Sequence, residues 1–314
     1  MRSDTIERVA IVGSGFMGHG IGQEFASGGL QVTLHDIDEE RLVRAQLSIE
    51  RNLQELVGMG VLAPEQVHPI MERIHTTDIL EEAISEADLV VEAVFENLEL
   101  KQKIFKTLDR FCPARTILAT NTSTLKPSML AEVTGRPERV LAMHFFYPVA
   151  LMPLVELVPG HKTDEGIVQQ VFDLLKTIGK SPIIVRKEAL GFIANRLQFA
   201  LQREALYIVE QGIATPQEVD IAVKDGFGRR LAVAGPFEIA EPIGWDLELQ
   251  VQTYLFPDLA SSPEPSPLVC QKVGLGELGV KTGQGFYAWT EQSAEAWRKK
   301  ITAALGRLAG MADA

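Results

Sequence analysis

Between residues 8 and 185, short runs of β-branched and other apolar residues alternate with longer stretches in which apolar residues recur every three or four positions. A strand covered on both faces reads as an unbroken apolar run, whereas a helix with one buried face carries a period near 3.6 residues. The alternation predicts an α/β domain, a mostly parallel sheet joined by helical crossovers. Strands are expected at Arg8–Val12, Gln31–His35, Leu89–Ala93, Thr116–Ala119, Val140–His144, Leu154–Leu157 and Ile183–Val185, with helices including Asp38–Val57, Leu98–Phe111 and Asp164–Ile178.

Beyond Gly191 the strand pattern stops. Ile193, Leu197, Ala200, Leu201, Ala205 and Ile208 keep a helical period until Gly212 offers a stop. Thr215-Pro216 and Gly235-Pro236 open further helices, and the proline-rich 261–267 segment reads as an exposed loop. The expected division is an α/β domain over 1–188 and an all-α domain over 189–314.

Composition narrows the function. With 46% hydrophobic and 23% charged residues, the chain has the balance of an ordinary globular protein. Thirty basic against 42 acidic side chains give a formal charge of −12, which disfavours a nucleic-acid partner. Cys112 and Cys270 lie far apart, so neither a disulfide framework nor a structural zinc site is suggested, and a cytoplasmic location fits. The first eight residues lack the apolar core of a signal peptide, and no run approaches the roughly 18 apolar residues of a membrane span.

Gly13-Ser-Gly15-Phe16-Met17-Gly18 directly follows the first strand and opens a helix. Glycines there permit a tight turn and close approach of the backbone to a pyrophosphate, and the N–H groups at the helix start hold the anion. Asp36 ends the next strand, where a carboxylate accepts hydrogen bonds from ribose hydroxyls and repels a 2′-phosphate, so NAD is expected over NADP. Glu96 and Lys101 follow the strand at 89–93 and either border the same crevice or form a solvated helix start. Asn121-Thr122-Ser123 ends a strand and either faces that crevice or caps the next helix. His144 closes an apolar strand, and Glu156 sits inside the apolar run 154–158, where an unpartnered carboxylate is costly. A turn at 148–153 can pair them, and a histidine held by a carboxylate is a competent general base; otherwise His144 is a packed side chain.

The order of these motifs, with Val90-Val-Glu-Ala-Val-Phe-Glu-Asn97, His144-Phe-Phe-Tyr-Pro148, Leu154-Val-Glu156, Gly191-Phe-Ile-Ala-Asn-Arg196 and Lys281-Thr-Gly-Gln-Gly-Phe-Tyr287, resembles the L-3-hydroxyacyl-CoA dehydrogenase family over about residues 8 to 288. The resemblance implies a Rossmann-like domain, a helical domain through which subunits commonly dimerise, and no metal. It implies that His144 is the general base, Glu156 orients it, Ser123 binds the substrate oxygen and Asn195 supports the reacting carbonyl. For NAD it implies Gly13, Gly15, Phe16, Met17 and Gly18 at the pyrophosphate, Asp36 at the ribose, and Glu96, Lys101, Ser123 and Lys281 around the nicotinamide. Oxidation of the 3-hydroxyl of a short L-3-hydroxyacyl-CoA is the activity implied.

Departures from the family bear on the substrate. Tyr147 stands where the family has Asn, and Pro153 where it often has Lys. The CoA enzymes place lysines toward the carrier's phosphates on the helix after Asp36, and the corresponding positions here are Met59 and Val61, leaving Arg51 or Arg44 to substitute. The Pro-Leu-Val-Glu-Leu-Val-Pro form and the helical tail at 291–308 look more like relatives that oxidise small hydroxy acids, such as gulonate, carnitine or pyridine-carboxylate dehydrogenases. Arg229-Arg230, expected in a loop, is then a candidate cation for a free carboxylate. A non-catalytic NAD-binding role is the third alternative, but it asks nothing of His144, Glu156, Ser123 and Asn195 together.

Overall fold

The structure, a computed structural model, describes residues 5–311. They divide into two compact units, one running through Ala194 and resuming at Lys299, the other Asn195–Arg298.

The first unit is built on an eight-stranded sheet in the order β3-β2-β1-β4-β5-β6-β7-β8. The strands are β1 Arg8–Val12, β2 Gln31–His35, β3 Ile74–Thr77, β4 Leu89–Glu92, β5 Ile117–Thr120, β6 Val140–Phe145, β7 Leu154–Pro159 and β8 Ser181–Ile184. Every neighbouring pair is parallel except β6 and β7, which run antiparallel with His144 opposite Glu156. Seven of these strands follow from the apolar runs within a few residues. β3 does not, because Ile-His-Thr-Thr is a polar strand at the sheet edge with one buried residue.

Helix α1, Gly18–Ser27, packs its Gly22 face onto β1 and β2, and Phe25 and Ile21 fill the core beneath it. Helix α2, Glu39–Gly58, starts at Asp38, whose side chain accepts from the backbone N–H groups of Glu40 and Arg41. Its Leu42, Ala45, Ile49, Leu53 and Leu56 form one buried stripe. Helices Leu98–Phe111 and Glu165–Thr177 also match the expected periods, with Asn97 and Asp164 as capping side chains.

The second unit is helical, with Ala194–Glu210 as its first long helix and Thr215 capping Pro216–Ile221. One sequence expectation is revised. Gly228-Arg229-Arg230 is not in a loop but forms the short helix Gly228–Leu231, packed so closely that a Cβ on Gly228 would stand 2.5 Å from the Val223 carbonyl oxygen. The two nearby glycines had hidden any helical period there. Phe192 is buried with Ala142, Val158 and Val185, and Leu305 of the helix Glu291–Met311 packs on the core of the first unit. Among the described residues no helix is long and apolar enough to cross a membrane.

Candidate active site

Parallel strands β1, β2, β4, β5 and β6 deliver their carboxyl ends to one edge of the sheet, the edge at which open α/β sheets bind ligands. After β1, Gly13 takes φ +103°, and a Cβ would meet the Ala93 carbonyl oxygen at 2.8 Å. A Cβ on Gly18 would lie 1.7 Å from the Gly13 carbonyl oxygen, so the turn closes only with glycine at both positions. Gly15 differs, since nothing lies within 4 Å of where its Cβ would stand. That backbone is open to an approaching pyrophosphate, which is the fit NAD requires. Met17 gives the first turn of α1 no side-chain cap, although the His19 N–H of that turn donates to the Gly15 carbonyl oxygen at 3.2 Å. Asp36 is buried beside this loop and accepts from the Ser14 backbone N–H and hydroxyl, both at 3.0 Å, through one carboxylate oxygen. Arg41 lies 3.9 Å from the other.

On the far side of β1 a second carboxylate organises two loops. Glu92, fully buried at the end of β4, accepts from Lys101 Nζ at 2.7 and 2.9 Å, from the Thr120 hydroxyl at 2.7 Å and from the Val94 backbone N–H at 2.7 Å. Lys101 also lies 3.3 Å from Glu96, and only 1% of its side chain is exposed. Glu96 further accepts from the hydroxyls of Thr122 and Thr124. Burial works to raise its pKa, but these hydroxyls and the Lys101 cation hold the carboxyl below the usual glutamate value. Asn121 Oδ1 accepts from the Phe145 backbone N–H at 2.8 Å and so fixes the loop carrying half-buried Ser123 beside the end of β6. Sequence reasoning passed over Glu92 and Thr120, while for Asn121 and Thr122 it left open whether they face the crevice or cap the next helix. An acid inside an apolar run was the available signal for Glu92, the same one that marked Glu156.

The expected pairing of His144 and Glu156 is present. His144 Nδ1 and Glu156 Oε2 are 2.8 Å apart, both side chains are buried, and the rings of Phe146 and Phe192 lie 4.4 and 5.6 Å from the imidazole. Gly191 and Phe192 both adopt positive φ, 74° and 46°, which turns the chain so that the backbone N–H groups of Ile193 and Ala194 donate to Glu156 Oε1, each at 2.9 Å. Burial works to raise the Glu156 pKa; the imidazole and the two amides outweigh it and hold the carboxyl below its ordinary value. An ionised carboxylate has no proton to offer, so the imidazole carries its proton on Nδ1 and leaves Nε2 able to accept one. Asn195 opens the second unit directly after Ala194, and Lys281 lies in an exposed turn of that unit.

Family models describing the 3-hydroxyacyl-CoA dehydrogenase NAD binding domain and C-terminal domain match residues 8–189 and 191–289. The chain belongs to the 3-hydroxyacyl-CoA dehydrogenase family. As such it is an NAD-dependent oxidoreductase. It is 33% identical to 5-formyl-3-hydroxy-2-methylpyridine 4-carboxylate 5-dehydrogenase of Mesorhizobium japonicum, over 93% of each chain. It is 37% identical to a probable 3-hydroxybutyryl-CoA dehydrogenase of Bacillus subtilis, over 92% of this chain and 99% of the other. Among solved structures, a 5-formyl-3-hydroxy-2-methylpyridine 4-carboxylic acid 5-dehydrogenase, described as an NAD+-dependent dismutase, superposes with a TM-score of 0.89 at 31% identity over 97% of both chains. The (S)-3-hydroxybutyryl-CoA dehydrogenase of Ralstonia eutropha superposes with a TM-score of 0.76 at 35% identity, over 91% of this chain and 100% of that one.

Proposed function

We propose that this protein oxidises a secondary alcohol three carbons along an acyl chain to the ketone, with His144 as general base. The observation that carries this reading is the buried His144–Glu156 pair at the carboxyl edge of the sheet, next to the open glycine turn. His144 Nε2 takes the hydroxyl proton, and Glu156 stabilises the imidazolium that results. Ser123 and Asn195 donate to the substrate oxygen as it becomes a carbonyl. Gly13, Gly15, Phe16, Met17 and Gly18 hold the pyrophosphate of NAD, and Asp36 holds the ribose. Glu96 and Lys281 flank the nicotinamide, and Lys101 acts from beneath by fixing Glu96. When bound, NAD supplies the acceptor for the hydride that leaves the alcohol carbon.

A short L-3-hydroxyacyl-CoA of the 3-hydroxybutyryl type is the substrate supported by the family and by several of the relatives. A small free hydroxy acid is the second reading, and one specific observation favours it. Gly306 of the C-terminal helix rests on Met59, with a Cβ there only 2.8 Å from its sulfur, so the position at which CoA enzymes present a lysine carries a half-buried apolar side chain packed against that helix. The same reading includes a homodimer formed through the second unit and a cytoplasmic location. The latter is supported by two free cysteines, of which Cys112 is unreactive because burial pushes its thiol up to about 12.

Turnover assays with acetoacetyl-CoA and with a panel of small 3-keto and 3-hydroxy acids test both readings. Saturable reduction of acetoacetyl-CoA at sub-millimolar concentration supports the first, and saturation by a free acid alone supports the second. His144→Gln should lower kcat by about 10²- to 10⁴-fold while NADH affinity stays within twofold, because the base and the pyrophosphate loop are separate. Equal losses in turnover and cofactor binding would overturn the role given to His144.

A further inference from the structure

Phe16, in the glycine turn, and Tyr147, just past β6, stack with ring centroids 4.1 Å apart and planes tilted by 31°. Both rings stay largely in solvent, 62% and 57% exposed, so general burial does not explain why they meet. The stack is one of three ties along a single line. Val149 packs on Gly20, with its Cγ2 3.0 Å from where a Cβ would stand. Lys180 Nζ joins Glu24 of α1, at 2.5 Å, to the backbone carbonyl oxygens of Val149 and Met152, at 2.7 and 3.4 Å. The connection between β6 and β7, which carries His144 at one end and Glu156 at the other, is thereby laid along α1 from its glycine turn downward.

We propose that Tyr147 is a positioning residue for the dinucleotide turn. By stacking on Phe16 it holds the turn with its N–H groups facing the phosphates before the cofactor arrives, and it ties that turn to the segment bearing the base. Elsewhere the turn is held at the Gly15 carbonyl oxygen, which accepts from the His19 backbone N–H at 3.2 Å and lies 2.8 Å from the His19 Nδ1, contacts that do not involve the Phe16 ring. Ser14 is anchored to Asp36 on the other flank, and Met17 has no capping side chain. Preorganisation of this kind lowers the ordering cost of binding and leaves the chemical step alone. The proposal rests on the assignment of the Gly13–Gly18 turn to the pyrophosphate.

NADH binding to the enzyme without substrate, followed by nicotinamide fluorescence, is the direct readout. Tyr147→Ala should raise the Kd for NADH by about 2- to 10-fold, the range expected for loss of one aromatic pair. Tyr147→Phe, which keeps the stack and removes only the hydroxyl, should bind as wild type does. Phe16→Leu should resemble Tyr147→Ala, and combining the two should cost little more than either alone. In steady-state assays the KM for NAD should rise while kcat at saturating cofactor changes by less than twofold. Tyr147 is exposed, so the variants should fold, and their melting temperatures without cofactor check this. Wild-type affinity in Tyr147→Ala, or a loss in Tyr147→Phe as large as in Tyr147→Ala, would overturn the proposal while leaving the pyrophosphate assignment intact. Failure of the wild-type protein to bind NADH would overturn both.

Discussion

Glu156 makes three hydrogen bonds with different demands, and that difference predicts how a change of one atom would act. Ile193 and Ala194 present N–H groups to Oε1, which require an acceptor there. In Glu156→Gln the amide oxygen therefore stays with them and the amide nitrogen turns to His144, donating to Nδ1. The imidazole proton is then forced onto Nε2, the atom that has to accept one. We expect kcat to fall by about 10²- to 10⁴-fold with NADH affinity preserved, as when a base is locked in the wrong tautomer. Stability should carry a pH dependence of definite sign. The folded-state pKa of Glu156 lies below its ordinary value, so its contribution is present above the ordinary carboxylate range and is lost as pH falls through the folded pKa. The difference in melting temperature between wild type and Glu156→Gln should be largest near neutrality and shrink on acidification. A difference that grows toward low pH would contradict an ionised Glu156.

At the level of elements, Lys101 changes from a surface charge bordering a crevice to a link between two loops. Its helix places the ammonium against Glu92 at the end of β4, and Thr120 at the end of β5 bonds the same carboxylate. Lys101→Met strands a fully buried carboxylate, and losing one partner of such a pair costs about 3–5 kcal/mol. Urea unfolding without cofactor should show that loss, and Lys101→Met combined with Glu92→Gln should recover most of it. If Lys101 served only to touch the cofactor, the single variant would unfold like wild type. This also shows where the sequence stops being legible. Apolar runs identify seven strands and the long helices because burial on both faces leaves a pattern in composition. The glycine turn, Asp36 and the His144–Glu156 pair are legible because glycine and buried acids are restrictive choices. β3 was missed because an edge strand tolerates polar residues, and the Gly228–Leu231 helix because Gly226 and Gly228 break the period. Glu92 carries the same signal as Glu156, an acid inside an apolar run, but Glu96 and Glu99 close behind it draw the reading to the helix start, and the register of β4 against β5 is what joins it to Thr120.

The whole molecule distributes its core unequally. The first unit buries the sheet and its helices in two large clusters, whereas among the described residues of the second unit only Ala240 and Ala294 are buried apolar side chains. Phe237 is 74% exposed, Val233 77% and Tyr254 85% in the single chain, and Leu197 of the first helical stripe is 60% exposed. A helical unit of this size without a core of its own cannot meet the entropy cost of folding from its helices alone. Exposed apolar surface on this scale is what an interface needs, and in the proposed homodimer a second copy of the chain would supply a matching surface by symmetry. Such an interface is held by apolar burial, so raising salt should not open it, unlike one held by surface charges. Light scattering at micromolar protein should therefore give twice the chain mass at both low and high ionic strength. Phe237→Glu together with Val233→Glu, which place charge on two largely exposed apolar positions, should shift the mass toward one chain. A single-chain mass for the wild-type protein under both conditions would show that the second unit is stable with its apolar side chains in water, and the dimer would be excluded.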